Sequence, residues 1–283
     1  SWVYPLNFID FETSGMALPF TKGRKPYEQL AFQFSHHIVY EDGRVEHATE
    51  YLNAKVGEFP NFEFIRALKK ALEINNGSIF RYHNHENTIV NAIYMQLLSS
   101  DEEDKEELIS FIKLISHNTG KSAEKWCGDR DMIDLWKVVK DYYYDPYTKG
   151  SNSIKDVLPA VLNSSIFLQN KYQKELKDIN LTSKNFVGNQ IFLKFKDEKL
   201  INPYKLLPPL FDNWTQDEID NVISGLEGIS DGGAALTAYG KLQFEEISER
   251  ERGEIERALL KYCELDTLAM VMIYESWKDM INE

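Results

Sequence analysis

The chain has 283 residues, with 32 Lys and Arg against 45 Asp and Glu, a formal charge of −13. Its hydrophobic content of 43% and aromatic content of 13% supply ample apolar area for a packed core, which excludes disorder along most of its length. The acidic balance excludes a surface that is basic all over and built to hold nucleic acid, though not a local site that grips phosphate through bound cations.

Residues 2–13 (WVYPLNFIDFET) read as an apolar strand. A polar loop leads to a second strand over 28–40, an Asp42-Gly43 turn and a third strand over 45–54. Short connections between the three predict an antiparallel meander. Phe64, Ile65, Leu68, Ala71 and Leu72 recur at helical spacing and predict a helix over 61–74, stopped by Asn75-Asn76-Gly77. A short strand over 78–84, helices over 86–99 and 102–116, and a last strand near Met132–Leu135 follow. A Gly-Ser loop then feeds a helix within 150–162. Residues 163–228 are polar, then Pro-rich (Pro203, Pro208, Pro209), and predict an insertion or covering subdomain. Helices over 231–247 and 248–281 close the chain. Strands first and βα alternation later predict a single α/β domain over 1–283, with a mixed sheet flanked by helices.

Cys127 and Cys263 are too few for a disulfide framework and lack zinc-site spacing, as expected of a reducing cytoplasm. No apolar run approaches the ~18 residues of a membrane span, so no membrane partner is expected. No signal peptide is visible. The chain opens within a strand and without Met, which suggests a piece of a longer protein with other domains.

Three strings carry chemistry. In Phe8-Ile9-Asp10-Phe11-Glu12-Thr13 two carboxylates stand at i and i+2 of a strand. Alternation points Asp10 and Glu12 one way, while Ile9 and Phe11 pack on the other side. Paired carboxylates repel and resist desolvation unless a hard cation lies between them; the bland alternative is an exposed edge with two incidental acids. In Arg81-Tyr82-His83-Asn84-His85-Glu86-Asn87 a strand ends and a helix begins, with Glu86 in a favourable place at the helix N-terminus. Zinc at His83 and His85 lacks further ligands nearby. In Tyr262-Cys263-Glu264-Leu265-Asp266, Tyr262 and Asp266 share one helix face at i and i+4, and Leu259, Cys263 and Ala269 turn towards the core.

Taken in order, an acid pair on strand one, an acid after a later strand and YxxxD on the last helix resemble the DEDD exonuclease superfamily in its tyrosine form. FIDFET, the stretch from Asp134-Leu135-Trp136 to Leu162, ISDGGAALTAY and YCELDTLAMV resemble, more narrowly, an uncharacterised bacterial domain family within it. The resemblance implies an RNase H-like fold with a mixed five-stranded sheet and a mainly helical or irregular insertion at 163–228. It implies metal ligation by Asp10, Glu12, Glu86 and Asp266, with Tyr262 orienting the attacking water. The implied cofactors are two Mg²⁺ or Mn²⁺ ions, and the implied activity is 3′–5′ hydrolysis at single-stranded DNA or RNA ends. Glu86 stands where Asp is usual and His85 where an aromatic is common, so the alternative is a fold without turnover that binds nucleic acid or a partner domain. Thr13, Asn84, Lys22, Arg24 and Lys155 are candidate substrate contacts; the loop Lys22-Arg24-Lys25 either touches phosphate or merely solvates itself. Tyr142, Tyr143 and Tyr144 form either a base-stacking platform or a core-and-rim run. The DEEDKEE run at 101–107 reads as a solvated helix start.

Overall fold

The computed structural model describes residues 2–19, 21–119, 124–197, 199–207 and 233–282. Strands β1 (Leu6–Ser14), β2 (Leu30–Val39) and β3 (Val45–Leu52) form the expected antiparallel meander. Helix α1 (Asn61–Leu72) leads to β4 (Ile79–Arg81), which lies parallel to β1. Helices α2 (His85–Leu98) and α3 (Lys105–Ile115) follow, then a small β5–β6 pair (His117–Asn118, Trp126–Cys127) and β7 (Ile133–Asp134), parallel to β4. Helices α4 (Leu135–Tyr142), α5 (Ile154–Ser164) and α6 (Ile166–Tyr172) come next. The strand β8 (Leu181–Thr182) and a ribbon of β9 (Lys194–Lys196) and β10 (Lys199–Ile201) precede α7 (Gly233–Phe244) and the 34-residue α8 (Glu249–Asn282).

Among the described residues the main sheet has six strands in the order β7-β4-β1-β2-β3-β8, and only β2 runs against the rest. The expected five-stranded sheet is thus corrected to six. The sixth strand, β8, comes from the region expected to be helical or irregular, where it pairs Leu181 and Thr182 with Val45 and Glu46. Two residues are too few to show a period, which is why the sequence pattern does not reveal it. The insertion also holds β9 and β10; its part from 208 to 228, with Pro208 and Pro209, lies outside the described residues, as do residues 229–232 of ISDGGAALTAY.

Period-2 alternation along β1 divides the core. Ile9 and Phe11 pack with α1, α2 and α3 on one side of the sheet. Leu6 and Phe8 face the other side, where α5, α6 and α8 supply Val157, Val161, Leu168, Leu268 and Met272. Phe8 stacks on Phe80 at 4.9 Å between ring centres. Each such fully buried side chain contributes roughly 1.5–3 kcal/mol by leaving water. A third cluster holds α7 and the first half of α8 against Phe32, which stacks on Tyr239 at 3.9 Å. Strand β2 lies between β1 and β3 with all ten residues buried. Its polar residues are therefore bonded: His36 reaches Thr49 and Asn7, and His37 reaches Thr267 of α8. Burial, with His47 and Arg130 nearby, pushes His36 down to about 3, so it stays neutral.

Tyr143 packs against Trp277 while Tyr142 and Tyr144 are 86% and 85% exposed, an arrangement of core and rim. Within 101–107, Glu102 and Asp104 hold Arg66 of α1, with Arg66 Nε 2.7 Å from Asp104 Oδ2.

Candidate metal centre

The C-terminal end of β1, the N-terminus of α2, the first turn of α5 and the middle of α8 enclose a cavity of about 490 Å³. Asp10, Glu12, Glu86 and Asp266 all line it, brought together from positions spread over most of the chain. Glu12, Glu86 and Asp266 are 7%, 2% and 8% exposed, and Asp10 is half-buried. Tyr262 lines the cavity one helical turn before Asp266, as its spacing requires.

Local sequence explains each placement. Alternation sends Asp10 and Glu12 to the α8 side of the sheet. The register against β2 shifts between Glu12 and Thr13, where Phe32 of β2 is the extra residue, and Thr13 also lines the cavity, its Oγ1 2.9 Å from Nε2 of His85. Behind Glu86, His83 takes φ +77, a conformation uncommon outside glycine. Its backbone N–H donates to Asp134 Oδ1 at 2.9 Å, and its carbonyl accepts from Arg81. Arg81 and Asp134 form a buried ion pair at 3.1 Å. This pair holds the chain in the turn that starts α2 and aims Glu86 inward.

The electrostatics are those of crowded acids. Burial first, then Asp266, Glu86 and Glu12, holds Asp10 well above the usual carboxylate range. Burial and Asp266 raise Glu12, while Lys155 pulls it back down. Burial pushes Glu86 up to about 8, and Asp266 to about 6 despite the hydrogen bond from Tyr204 and the charge of Lys155. Oε2 of Glu86 is buried without a hydrogen-bond partner. An orphaned carboxylate oxygen beside three other acids is a donor set short of a cation. All-oxygen donors suit a hard divalent ion such as Mg²⁺ or Mn²⁺, so the residues fit the expected ions.

Two contributors were not legible in the sequence. Tyr204, in the turn Pro203–Leu206 after β10, donates to Asp266 Oδ1 at 2.5 Å. Burial and the adjacent Asp266 push its phenol upward, which keeps it a donor. Cys263 packs under Asp10, its Sγ 3.8 Å from Asp10 Oδ2, and its sulfur with Asp10 and Glu12 oxygens could surround one ion. Burial and the three acids hold it as a thiol.

Of the other candidates, Lys155 lines the cavity, with Nζ 5.5 Å from the Tyr262 ring centre and 5.9 Å from that of Tyr204. Asn84 does not line it; it precedes α2 at the surface, with its amide on Thr88. Arg24 lies 3.4 Å over the Phe59 ring and pairs with Glu28, and Lys22 is exposed outside the cavity. Closeness in sequence to an acid carries no information on which way a loop side chain points.

A second group, His47, Glu50 and Glu264, also clusters, with His47 Nδ1 3.0 Å from Glu264 Oε2. There the Glu264 oxygens already accept from Ser183 Oγ and from the backbone and side-chain N–H groups of Asn185. It ties the insertion to α8 as a structural junction. A wider cleft of about 600 Å³ sets Asp42, Asp178, Glu275 and Asp279 against Lys171, Lys174 and Lys278, so most of its acidic charge is offset.

Residues 7–153, just over half of the chain, match the family described as a domain of unknown function (DUF2779), and the chain belongs to that family. The match includes Asp10, Glu12 and Glu86 and ends before Lys155, Tyr262 and Asp266. No curated protein and no solved structure shows significant similarity to it. No helix among the described residues is long and apolar enough to cross a membrane.

Proposed function

We propose that the protein is a metal-dependent 3′–5′ exonuclease of the DEDD type, with an RNase H-like fold, that hydrolyses phosphodiesters at single-stranded nucleic-acid ends. The observation that carries this reading is the convergence of Asp10, Glu12, Glu86 and Asp266 in one cavity, with a buried Glu86 oxygen left unbonded. A sheet in which β1 is central, β2 alone is reversed and β4 and β7 follow in parallel supports the same fold.

Asp10, Glu12, Glu86 and Asp266 would hold two Mg²⁺ or Mn²⁺ ions. Such ions supply a hydroxide near neutral pH and neutralise charge on the leaving oxygen. The chain's own residues do the rest. Tyr262, beside Asp266 and facing the cavity, positions the attacking water. Lys155 reaches the cavity from the first turn of α5, where its charge meets a phosphate oxygen. Thr13 and His85, bonded to each other, form the wall against the substrate's sugar side.

A second reading is a nucleic-acid-binding module without turnover. It is favoured by Lys155, which already places one fixed cation beside Glu12 and Asp266. One experiment separates them: Mn²⁺ titration by calorimetry alongside cleavage of end-labelled oligonucleotides. The exonuclease binds two ions and releases mononucleotides from 3′ ends. Asp10→Asn abolishes cleavage by more than about a thousandfold, roughly 4 kcal/mol of transition-state stabilisation. It also stabilises the metal-free fold by about 1–2 kcal/mol, since one repelling charge is gone. Full activity in Asp10→Asn would sink the assignment.

A further inference from the structure

The insertion that delivers Tyr204 also carries a charge pattern that the fold does not need. In the β9–β10 ribbon Lys196 faces Lys199, Phe195 faces Leu200 and Lys194 faces Ile201. Residues directly opposite share a face, and so do residues two apart along a strand. One face therefore bears Lys194, Lys196 and Lys199, with Ile201 beside Lys194. The other bears Phe195 and Leu200, and Leu200 packs on the main core. All three lysines are exposed, and among the described residues none has a carboxylate within 4.0 Å. Some other lysines are paired, as Lys69 is with Glu73 and Glu107, both at 2.7 Å.

Like charges directly opposed across two strands destabilise a ribbon. Lys196 and Lys199 thus work against the local fold, and a polyanion lying across them would reverse the sign of that interaction. The reversal is local: residues 194–205 hold four lysines and two acids in a chain of net charge −13. The ribbon also adjoins the metal centre. Strand β10 packs on α5, which carries Lys155. Tyr204 lies three residues beyond β10, a span of at most about 11 Å, and bonds to Asp266.

The geometry points to the lysine face of the β9–β10 ribbon as the surface that holds a single-stranded nucleic-acid backbone leading into the carboxylate cavity. This rests on the nuclease reading for the nature of its ligand. Lys194 and Lys196 stand about 6.8 Å apart along their strand, comparable to one phosphate step of a stretched single strand. Contact is with phosphate and is blind to sequence and sugar.

The test is binding of a short DNA and a short RNA oligonucleotide, in Ca²⁺, as a function of salt, with turnover of bis-p-nitrophenyl phosphate in Mn²⁺ measured in parallel. Replacing Lys194, Lys196 and Lys199 together with Gln lowers the slope of log affinity against log salt by about 0.7 per lysine, about 2 in all, for both oligonucleotides. Turnover of the small diester stays unchanged, and the melting temperature does not fall. A wild-type slope in the triple variant overturns the inference while leaving the nuclease reading intact. So does a variant whose only change is self-association, because the lysines would then be guards of an exposed strand edge. Lysine-dependent binding without any diester turnover upholds the ribbon and defeats the nuclease reading instead. A wild-type protein that binds neither oligonucleotide defeats both.

Discussion

The hydroxyl of Tyr204 donates to the carboxylate of Asp266, 62 residues further along the chain, at 2.5 Å. This bond puts the insertion in direct contact with a candidate metal ligand. It occupies one oxygen of Asp266 and favours the charged form that a cation needs.

Tyr204→Phe removes that donor and keeps the ring. Asp266 then holds its proton to higher pH, and protons compete better with Mn²⁺. The expected outcome is weaker Mn²⁺ binding near pH 6, by up to about tenfold for a loss of ~1.4 kcal/mol, with the gap closing near pH 8. Tyr262→Phe lowers turnover and leaves Mn²⁺ affinity as it was. Calorimetry at the two pH values, with cleavage rates, distinguishes them; a Tyr204→Phe defect of equal size at both pH values would contradict the mechanism.

The raised carboxylates also set the stability of the metal-free protein. A group whose folded pKa lies above its unfolded one holds its proton more tightly when folded. The stability it contributes is complete below its ordinary value, 3.8 for Asp266 and 4.5 for Glu86. It is lost as pH rises through about 6 for Asp266 and about 8 for Glu86. Between pH 4.5 and 8 the metal-free melting temperature falls, by an amount on the order of 5–10 °C. With Mn²⁺ the fall disappears, because the ions take the deprotonated acids. Melting curves with and without Mn²⁺ measure this; a metal-free melting temperature indifferent to pH would refute it.

Asp134 carries three loads: the Arg81 guanidinium, the His83 backbone N–H and the Trp136 N–H at the start of α4. Asp134→Ala leaves Arg81 buried and unpaired and costs about 3–5 kcal/mol. Asp134→Asn retains an acceptor and costs less. At temperatures where both are folded, each also weakens Mn²⁺ binding, since Glu86 follows the turn they loosen. Denaturant titration and calorimetry on the two variants check both statements; a stable Asp134→Ala protein would show that the pair is dispensable.

Cys263 predicts a choice among metals. Hard Mg²⁺ and Mn²⁺ leave the thiol protonated, whereas Zn²⁺ draws a thiolate in beside Asp10 and Glu12. Zn²⁺ then inhibits Mn²⁺-supported cleavage, and Cys263→Ala resists that inhibition at least several-fold with its Mn²⁺ activity retained. Equal Zn²⁺ sensitivity in the variant and the wild type would remove Cys263 from the site.

The acids were legible because each obeys a short period: two along β1 for Asp10 and Glu12, four along α8 for Tyr262 and Asp266. Glu86 was legible from its place at a helix start. Tyr204 was not, because it sits in a Pro-rich stretch without periodicity and meets Asp266 only through tertiary packing. For Arg24, the competing partners Phe59 and Glu28 lie outside its own loop or at its far end, and nothing local shows that they win. The sixth strand escaped for the same reason as Tyr204, since Leu181 and Thr182 are strand only by virtue of Val45 and Glu46.

Strand β8 gives the insertion a backbone stake in the sheet, and Ser183 and Asn185 immediately beyond it grip Glu264 of α8. The segment is therefore no portable accessory. A chimera that trims it back to a short linker would bare the edge of β3, leave the wholly buried Glu264 with only His47 and take away the phenol on Asp266 in one cut. Grafts between relatives would have to move residues 181–207 and α8 as a matched set.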